Sequence, residues 1–579
     1  MGSHRRIAGH PGGGRCVLAI LALALGAAGV IAAPGTVGTA GAARVRTPDL
    51  ILENGRFITM DDRRPTAQAI AITDDRITAV GSSREIGRLA TRTTRRIDLR
   101  RRTVVPGLID GHTHAIRGGQ TFGRETYWLG VDSLATGLSM LSDAARGRRP
   151  NEWVAVVGSW HPNQFRERRA PTVADLTRAS PTNPAYVQFQ YDYALLNDAG
   201  IRALRLNEST APPVPGVIVE RDASGRATGR LTGGIGPFNA LTARILLSPD
   251  PAVRKRSLRS YFRSLNAAGV TGFIDDAAGA PTAYDPLFAL AADGDLTVRA
   301  GYRIGAQAPG NETAFFEPLM AFRPSVQPDG PTPFLGIGET LVFGVNDGVR
   351  QSPGFVASPQ ALAELEKLAR FAAARRLPLE IHAYTDDLAS QILDVFERVN
   401  RTNPIRGLRW ALAHLNTGSV RTIDRMKALG IAYSVQMGPL FEAPAILAAN
   451  GPAVARRNEA RAALDRGLVV AGGSDATRVG DFHLWPGLEF QVTGASLGNA
   501  VVRPASQRLT RMEALRAYTL GSAWLSHDDD DRGSLEPGKL ADLAVLDRPY
   551  LSVPANRIGD TRSVLTLVGG KVVYNRLGG

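Results

Sequence analysis

The chain has 579 residues, 44% apolar and 21% charged, a balance that supports a large buried core and excludes a disordered or low-complexity protein. Its net charge of +14 rests on scattered arginines. The densest group, Arg95, Arg96, Arg100, Arg101 and Arg102, is short and lacks interleaved aromatics, so no nucleic-acid partner is expected. The single cysteine, Cys16, excludes an internal disulfide.

Arg5, Arg6 and Arg15 accompany an apolar run from Val17 to Ala33, and Ala40-Gly41-Ala42 fits a small-residue cleavage site. Residues 1–43 read as an export signal. Its removal would leave a secreted or periplasmic protein with no stable membrane association. The Arg5-Arg6 pair leaves the general and twin-arginine routes both open, and an uncleaved anchor is the alternative. Cys16 precedes most of the run, whereas a lipoprotein cysteine would follow it.

Residues 44–103 are strand-rich. Leu50 to Met60 is one candidate. Ala69–Thr73, the pair Asp74-Asp75 and Arg76–Val80 read as a hairpin with a two-residue turn. Residues 526–579 answer with Ala541–Leu546 and with Val564–Tyr574, which turns at Gly569-Gly570. Both ends are expected to build one small β-sandwich.

Between them, residues 104–525 alternate strands and helices. Eight strand candidates follow in order: Thr103–Ile109, Val270–Asp275, Thr297–Ile304, Leu335–Phe343, Leu379–His382, Arg409–Ala413, Ile431–Val435 and Leu468–Gly472. Ala361–Ala374 and Leu388–Val399 show apolar residues at helical spacing. The expected class is α/β, a (β/α)8 TIM barrel. The stretch from roughly 115 to 249 carries its own strands, Trp153–Ser159 and Ala185–Gln190, and reads as a subdomain inserted after the first strand, over the barrel mouth.

The chemistry concentrates at strand ends. In a strand, residues two apart point to one side, so His112 and His114 can aim two imidazoles at one point. His382 closes Leu379-Glu380-Ile381-His382, His414 closes Trp410-Ala411-Leu412-Ala413-His414, and Asp475 follows Gly472-Gly473-Ser474. Alone, each histidine could be a hydrogen-bonded core residue and Asp475 a helix cap. Together they ring one barrel mouth. A site for a divalent metal explains all five, with zinc favoured by the imidazoles.

These motifs resemble the amidohydrolase superfamily from Leu50 to Tyr574. The run Pro106-Gly107-Leu108-Ile109-Asp110-Gly111-His112-Thr113-His114 and the terminal Gly533-Ser534-Leu535-Glu536-Pro537-Gly538-Lys539-Leu540-Ala541-Asp542-Leu543 carry the likeness most specifically. The long insertion and His382-Ala383-Tyr384-Thr385-Asp386 look most like the family-three branch, which includes N-substituted formamide deformylase-like enzymes. The resemblance implies a metal-dependent hydrolase with His112, His114, His382, His414 and Asp475 as site residues.

The chain departs from that pattern at two points. Many relatives carry a lysine on the fourth strand, often carboxylated to bridge two metals. The lysines here are Lys255, Lys367, Lys427, Lys539 and Lys571, none on that strand. If Asn346-Asp347-Gly348 matches the branch's Asp-Gly, Phe343 takes the lysine slot; Glu339, on the same predicted strand, could contribute a carboxylate. The second departure is Ala413-His414, where the branch often has Glu-His. One metal is therefore expected, with a second left open.

The expected reaction is hydrolysis of C–N bonds in a small amide, N-acyl or N-formyl compound. Asp475 would take a proton from the attacking water and return it to the leaving group. His382 and His414 either bind metal or one of them steadies the developing oxyanion. Trp160 and His161 could line the pocket or simply pack, and Arg478 could bind an anionic group or face solvent. His483 lies with Phe482 and Trp485 in the last loop, a usual place for specificity. Asp386 could orient His382 or cap a helix, and Asp528 to Asp531 read as a solvated loop. A degenerate barrel that keeps metal and only binds a ligand is the alternative to an enzyme.

Overall fold

A computed structural model describes residues 47–278, 281–307, 309–321, 330–348, 353–498 and 500–578. The expected signal, residues 1–43, lies outside them. Among the described residues no helix is long and apolar enough to cross a membrane.

The fold is mixed α/β. Its centre holds eight strands: β1 (Leu108–Thr113), β2 (Val270–Ala278), β3 (Arg299–Ile304), β4 (Phe334–Ile337), β5 (Glu380–Ala383), β6 (Ala411–His414), β7 (Ala432–Val435) and β8 (Val470–Gly472). They form two four-stranded parallel sheets, ordered β4-β3-β2-β1 and β5-β6-β7-β8. A parallel bridge from Ile337 to Leu379 links the first sheet to the second. Beyond β8, the N–H groups of Ser474 and Asp475 both donate to the His112 carbonyl at 3.0 Å. From β4 to β8 every strand residue is buried, as parallel strands covered on both faces must be.

Three helices show how the connections close. Pro359–Ala374, Asp386–Asn400 and Val420–Leu429 each start behind a Ser or Thr whose hydroxyl accepts a first-turn N–H: Ser358, Thr385 and Ser419. Each of the first two begins two residues before its predicted start, because the cap sets the boundary rather than the first apolar residue.

The strand expected over Thr103–Ile109 is two strands in two sheets. Thr103–Pro106 pairs with Leu543–Leu546 and Arg56–Ile58, whereas β1 pairs with β2. Gly107 makes the switch. Its N–H donates to the Asp542 carbonyl, and the next N–H, of Leu108, to that of Gly269. A Cβ at Gly107 would lie 2.1 Å from the Thr271 hydroxyl oxygen. The fourth strand is also shorter than Leu335–Phe343. It ends at Ile337, and Glu339 leaves the sheet because its carboxylate is drawn among the imidazoles described below.

Strands from both chain ends share a six-stranded sheet. Its order is Lys571–Asn575, Ser563–Val568, Leu543–Leu546, Thr103–Pro106, Arg56–Ile58 and Thr66–Ala67. A four-stranded sheet holds Arg76–Gly81, Ala69–Thr73, Leu50–Glu53 and Arg95–Asp98. One hydrophobic cluster, with Leu52, Phe57, Ile70, Leu543 and Leu565, draws on both sheets. The hairpin at Gly569-Gly570 turns with both φ angles positive, at 53° and 71°. Within residues 115–249, five strands between Val154 and Thr232 form a separate sheet with two buried clusters of its own.

The Asp528–Asp531 run is not simply solvated. Asp528 pairs with Arg532, Asp529 with Arg409 and Asp531 with Arg76, so three of its carboxylates tie loops together.

Gly107→Ala should destabilise the protein by about 1–3 kcal/mol, the usual cost of forcing atoms into a packed core. Adding Thr271→Ala, which deletes the two nearest atoms, should recover part of the loss in urea denaturation.

Candidate metal centre

The His-x-His pair is set in place from β1 outward. Two residues before His112, the Asp110 carboxylate accepts the Ser474 backbone N–H at 2.8 Å and its hydroxyl at 2.6 Å. Burial pushes the Asp110 carboxyl up to about 7, against those bonds from Ser474. Gly473 allows the close approach, since a Cβ there would lie 2.7 Å from that of His112. Residues hundreds of positions apart thus share one rigid corner.

Four imidazoles and two carboxylates meet there, all buried. His112 places Nδ1 2.7 Å from Glu380 Oε1; its Nε2 has no hydrogen-bond partner and faces Glu339 at 3.7 Å and Asp475 at 3.9 Å. His114 donates from Nδ1 to the Asp276 carbonyl and turns Nε2 toward Asp475 Oδ1 at 3.2 Å and Glu339 Oε1 at 3.4 Å. His382 Nδ1 and His414 Nε2 lie 3.1 and 3.0 Å from Glu339 Oε2. His414 Nδ1 is 3.7 Å from Asp475 Oδ2.

The charges are mutually dependent. Burial alone would raise the Glu339 carboxyl; the charge on His112 and bonds from His114, His382 and His414 outweigh it and hold it well below the ordinary range. Asp475 is likewise lowered, its burial outweighed by the His114 bond and the charges of His414, His114 and His112. Burial works against charge on His112 and His382 too, yet Glu339 and Glu380 lift the first to about 9, and Asp347 and Glu339 lift the second to about 10. His414 stays lowered, because burial and the His382 charge exceed what Glu339 returns.

The donor set fits a divalent cation. Two groups have ligand atoms close enough for one ion: His112, His114 and Asp475, and His112, Glu339 and His414. Both include the unpartnered His112 Nε2. A third, His112 with Asp276 and Glu380, is already served by a guanidinium. Arg303 Nη1 donates to both Asp276 oxygens at 3.0 Å and to Glu380 Oε2 at 2.7 Å. Glu380 therefore stands between Arg303 and His112 and fixes the ring's orientation, as carboxylates behind metal-binding histidines do.

A cavity of about 500 Å3 opens on this cluster, lined by His114, Glu339, His382, Tyr384, His414 and Asp475 among others. That volume suits a small organic molecule. Tyr384 stacks on His414, centroids 4.4 Å apart and planes 9° apart, and donates its hydroxyl to Asp475 Oδ2 at 3.2 Å.

All five predicted ligands converge, and Glu339 joins them. Phe343 lies on the cavity wall, so the carboxylate among the imidazoles comes from Glu339. Asp347, not Asp386, meets His382: Oδ1 is 3.1 Å from Nε2. Asp386 instead accepts the Ser419 N–H and the Thr422 hydroxyl, both at 2.6 Å, at the start of the next helix.

None of the four expected substrate contacts lines this cavity, although Arg478 lines a smaller one beside His114. Trp160 is fully buried against Trp128, Phe165 and Phe189, and donates to the Gln188 carbonyl at 2.8 Å, so it packs the insertion. His161 accepts the Asn163 N–H at 3.0 Å and caps a short turn. Arg478 is buried and pairs with Glu125 at 3.2 Å. His483 packs on Phe482, and burial lowers its ring to about 3. The last two lie outside the walls of the main cavity.

Asp276, Arg303, Glu380 and Tyr384 were not singled out from sequence. A signal existed for three of them: Ile274-Asp275-Asp276, Tyr302-Arg303-Ile304 and Leu379-Glu380-Ile381 place charge inside strands that are otherwise buried, which requires a partner.

Residues 95–574 match the model of the amidohydrolase family. The chain belongs to that family. It is thereby an enzyme of the hydrolase class. It is 26% identical over 558 residues to an N-substituted formamide deformylase of Arthrobacter pascens, covering 92% of this chain and 99% of the relative. It is 27% identical over 561 residues to the LONG AFTER FAR-RED 3 protein of Arabidopsis thaliana, covering 91% of each. Among solved structures, a metal-dependent hydrolase from Pyrococcus horikoshii matches with a TM-score of 0.64 at 18% identity, over 87% of this chain and 99% of that one. Atrazine chlorohydrolase from Arthrobacter aurescens, complexed with zinc, matches with a TM-score of 0.51 at 18% identity, over 91% and 96%. These two likenesses concern the fold.

Within this amidohydrolase, Glu380→Gln should weaken metal retention about 10- to 100-fold. Metal content after dialysis against graded chelator measures it, with an unchanged melting profile of the metal-free protein as the folding control.

Proposed function

We propose that this amidohydrolase hydrolyses C–N bonds of the amide, N-acyl or N-formyl type in a small molecule, with Asp475 as general base. The observation that carries the reading is the place of Asp475: a buried carboxylate held in its charged form, on the cavity wall, 3.2 Å from both His114 Nε2 and the Tyr384 hydroxyl. The named activity of the formamide deformylase relative supports the substrate class.

His112, His114, His382, His414, Glu339 and Asp475 would hold one or two divalent ions, zinc suiting their nitrogen and carboxylate donors. Such an ion would supply a water acidic near neutrality and polarise the substrate carbonyl. Asp475 takes the proton of the attacking water on a carboxylate oxygen and passes it to the leaving nitrogen. Tyr384 holds Oδ2 of that carboxylate and keeps it aimed at the cavity. The stacked Tyr384 and His414 rings pack beside that carboxylate.

Two architectural readings go with this. The bridge between β4 and β5 and the bonds from β8 to β1 support closure of the two parallel sheets into one eight-stranded barrel, with the cluster at its mouth. The sheets shared by the chain ends support a small β-sandwich beneath it. Residues 1–43 would export the enzyme to the periplasm or beyond.

Zinc-loaded protein should hydrolyse members of a panel of N-formyl and N-acyl amides. Asp475→Asn should lower kcat by about 10²- to 10⁴-fold, the usual worth of a general base. Loaded protein that turns over no amide or ester would overturn the reading in favour of a ligand-binding barrel. Wild-type-like kcat in Asp475→Asn would remove the base.

A further inference from the structure

The cavity carries a cation that the chemistry above does not use. Arg117 follows His114 by three residues, on the short helix Ala115–Gly119. Its half-buried side chain lines both the main cavity and a neighbouring one of about 270 Å3; His114 and Asn239 are likewise shared by the two. Among the described residues no carboxylate lies within ion-pair distance of it. Arg478, which also lines the smaller cavity, is spent on Glu125, Thr477 and the Val157 carbonyl.

The helix that presents Arg117 is anchored through the backbone of its first turn. Asp275 accepts the Ile116 N–H at 2.7 Å with one oxygen and the Tyr284 hydroxyl at 3.0 Å with the other. Both of its oxygens are thereby engaged; the Arg117 charge acts on this carboxylate without forming an ion pair, and the side chain lines the cavity. Outside the imidazole and carboxylate cluster the main cavity's wall is otherwise uncharged, with Tyr191, Ile235, Asn239, Phe343 and Val479. The same wall includes Gly236, in the first turn of helix Ile235–Leu246, whose Gly234 cap offers no side-chain acceptor. Both features favour a negative group at this place.

We propose that Arg117 is a specificity residue that binds a carboxylate on the substrate. The preferred substrates would then be N-acyl or N-formyl amino acids, or amides of similar anionic character, over neutral amides. The inference rests on the C–N hydrolase reading above and narrows it. A guanidinium can take a carboxylate with two parallel N–H bonds, and it does so best where other charges are already neutralised, as they are here within the cluster.

The test compares N-formyl-leucine with N-formyl-leucinamide, which differ by that charge, on zinc-loaded wild type, Arg117→Gln and Arg117→Lys. Both kcat/KM and the calorimetric Kd are measured. In wild type the carboxylate should be favoured by about 10- to 100-fold, the range of a charge-assisted hydrogen bond. Arg117→Gln should bring that ratio close to one, and Arg117→Lys should keep part of it. A wild-type ratio at or below one overturns the proposal, as does a ratio unchanged in Arg117→Gln. If neither compound is hydrolysed, the C–N reading fails while the Kd ratio still decides the role of Arg117. Should Arg117→Gln not fold, the wild-type and Arg117→Lys ratios decide it.

Discussion

The centre of this molecule depends on one electrostatic arrangement: the Glu339 carboxylate, buried and within 3.7 Å of all four imidazoles. A carboxylate removed from water is costly unless positive or donating groups replace its hydration. Here they come from β1, β5 and β6, so the charge can be buried only when those strands are in register. The reverse also holds. Four buried imidazoles so close together would repel as they gained protons, and Glu339 and Asp475 keep them together. The site is therefore a structural tie between the two parallel sheets as well as a place for chemistry.

Around that tie the supporting groups form a second ring of opposite design. Arg303 neutralises Asp276 and Glu380, Asp110 grips Ser474, and Asp347 gathers the Tyr384 and Thr385 N–H groups behind His382. Each orients a histidine or the loop beside it without entering the cavity. A metal centre needs its ligands held in place before the ion arrives. Here that preorganisation comes from strand interiors and first turns of capped helices, which are the stiffest parts of an α/β fold.

Sequence reasoning reached five residues of the cluster because strand periodicity and strand ends carry them: a His-x-His pair and three residues closing apolar runs. It reached the hairpins at Asp74-Asp75 and Gly569-Gly570 because turn chemistry is local. It did not place Gly107 as the switch between two sheets, since Thr103–Ile109 is one unbroken apolar run and nothing local marks a change of partner. It left Trp160 between lining and packing, and Arg478 between an anion site and solvent, because which neighbour claims a side chain is decided by tertiary contacts: Gln188 for the one, Glu125 for the other. Arg117 escaped notice for the same reason, as a surface arginine and a cavity arginine look alike in sequence.

The strand Thr103–Pro106 is flanked on one side by Leu543–Leu546 and on the other by Arg56–Ile58, and it ends six residues before His112. The root of the His-x-His pair is thus held by residues that lie far downstream of it in the chain. On a ribosome, the strand that leads into β1 could not pair with Leu543–Leu546 until that segment had emerged. Metal-binding competence would then arrive late and all at once, and a truncated chain would hold its ligands on an unsupported strand.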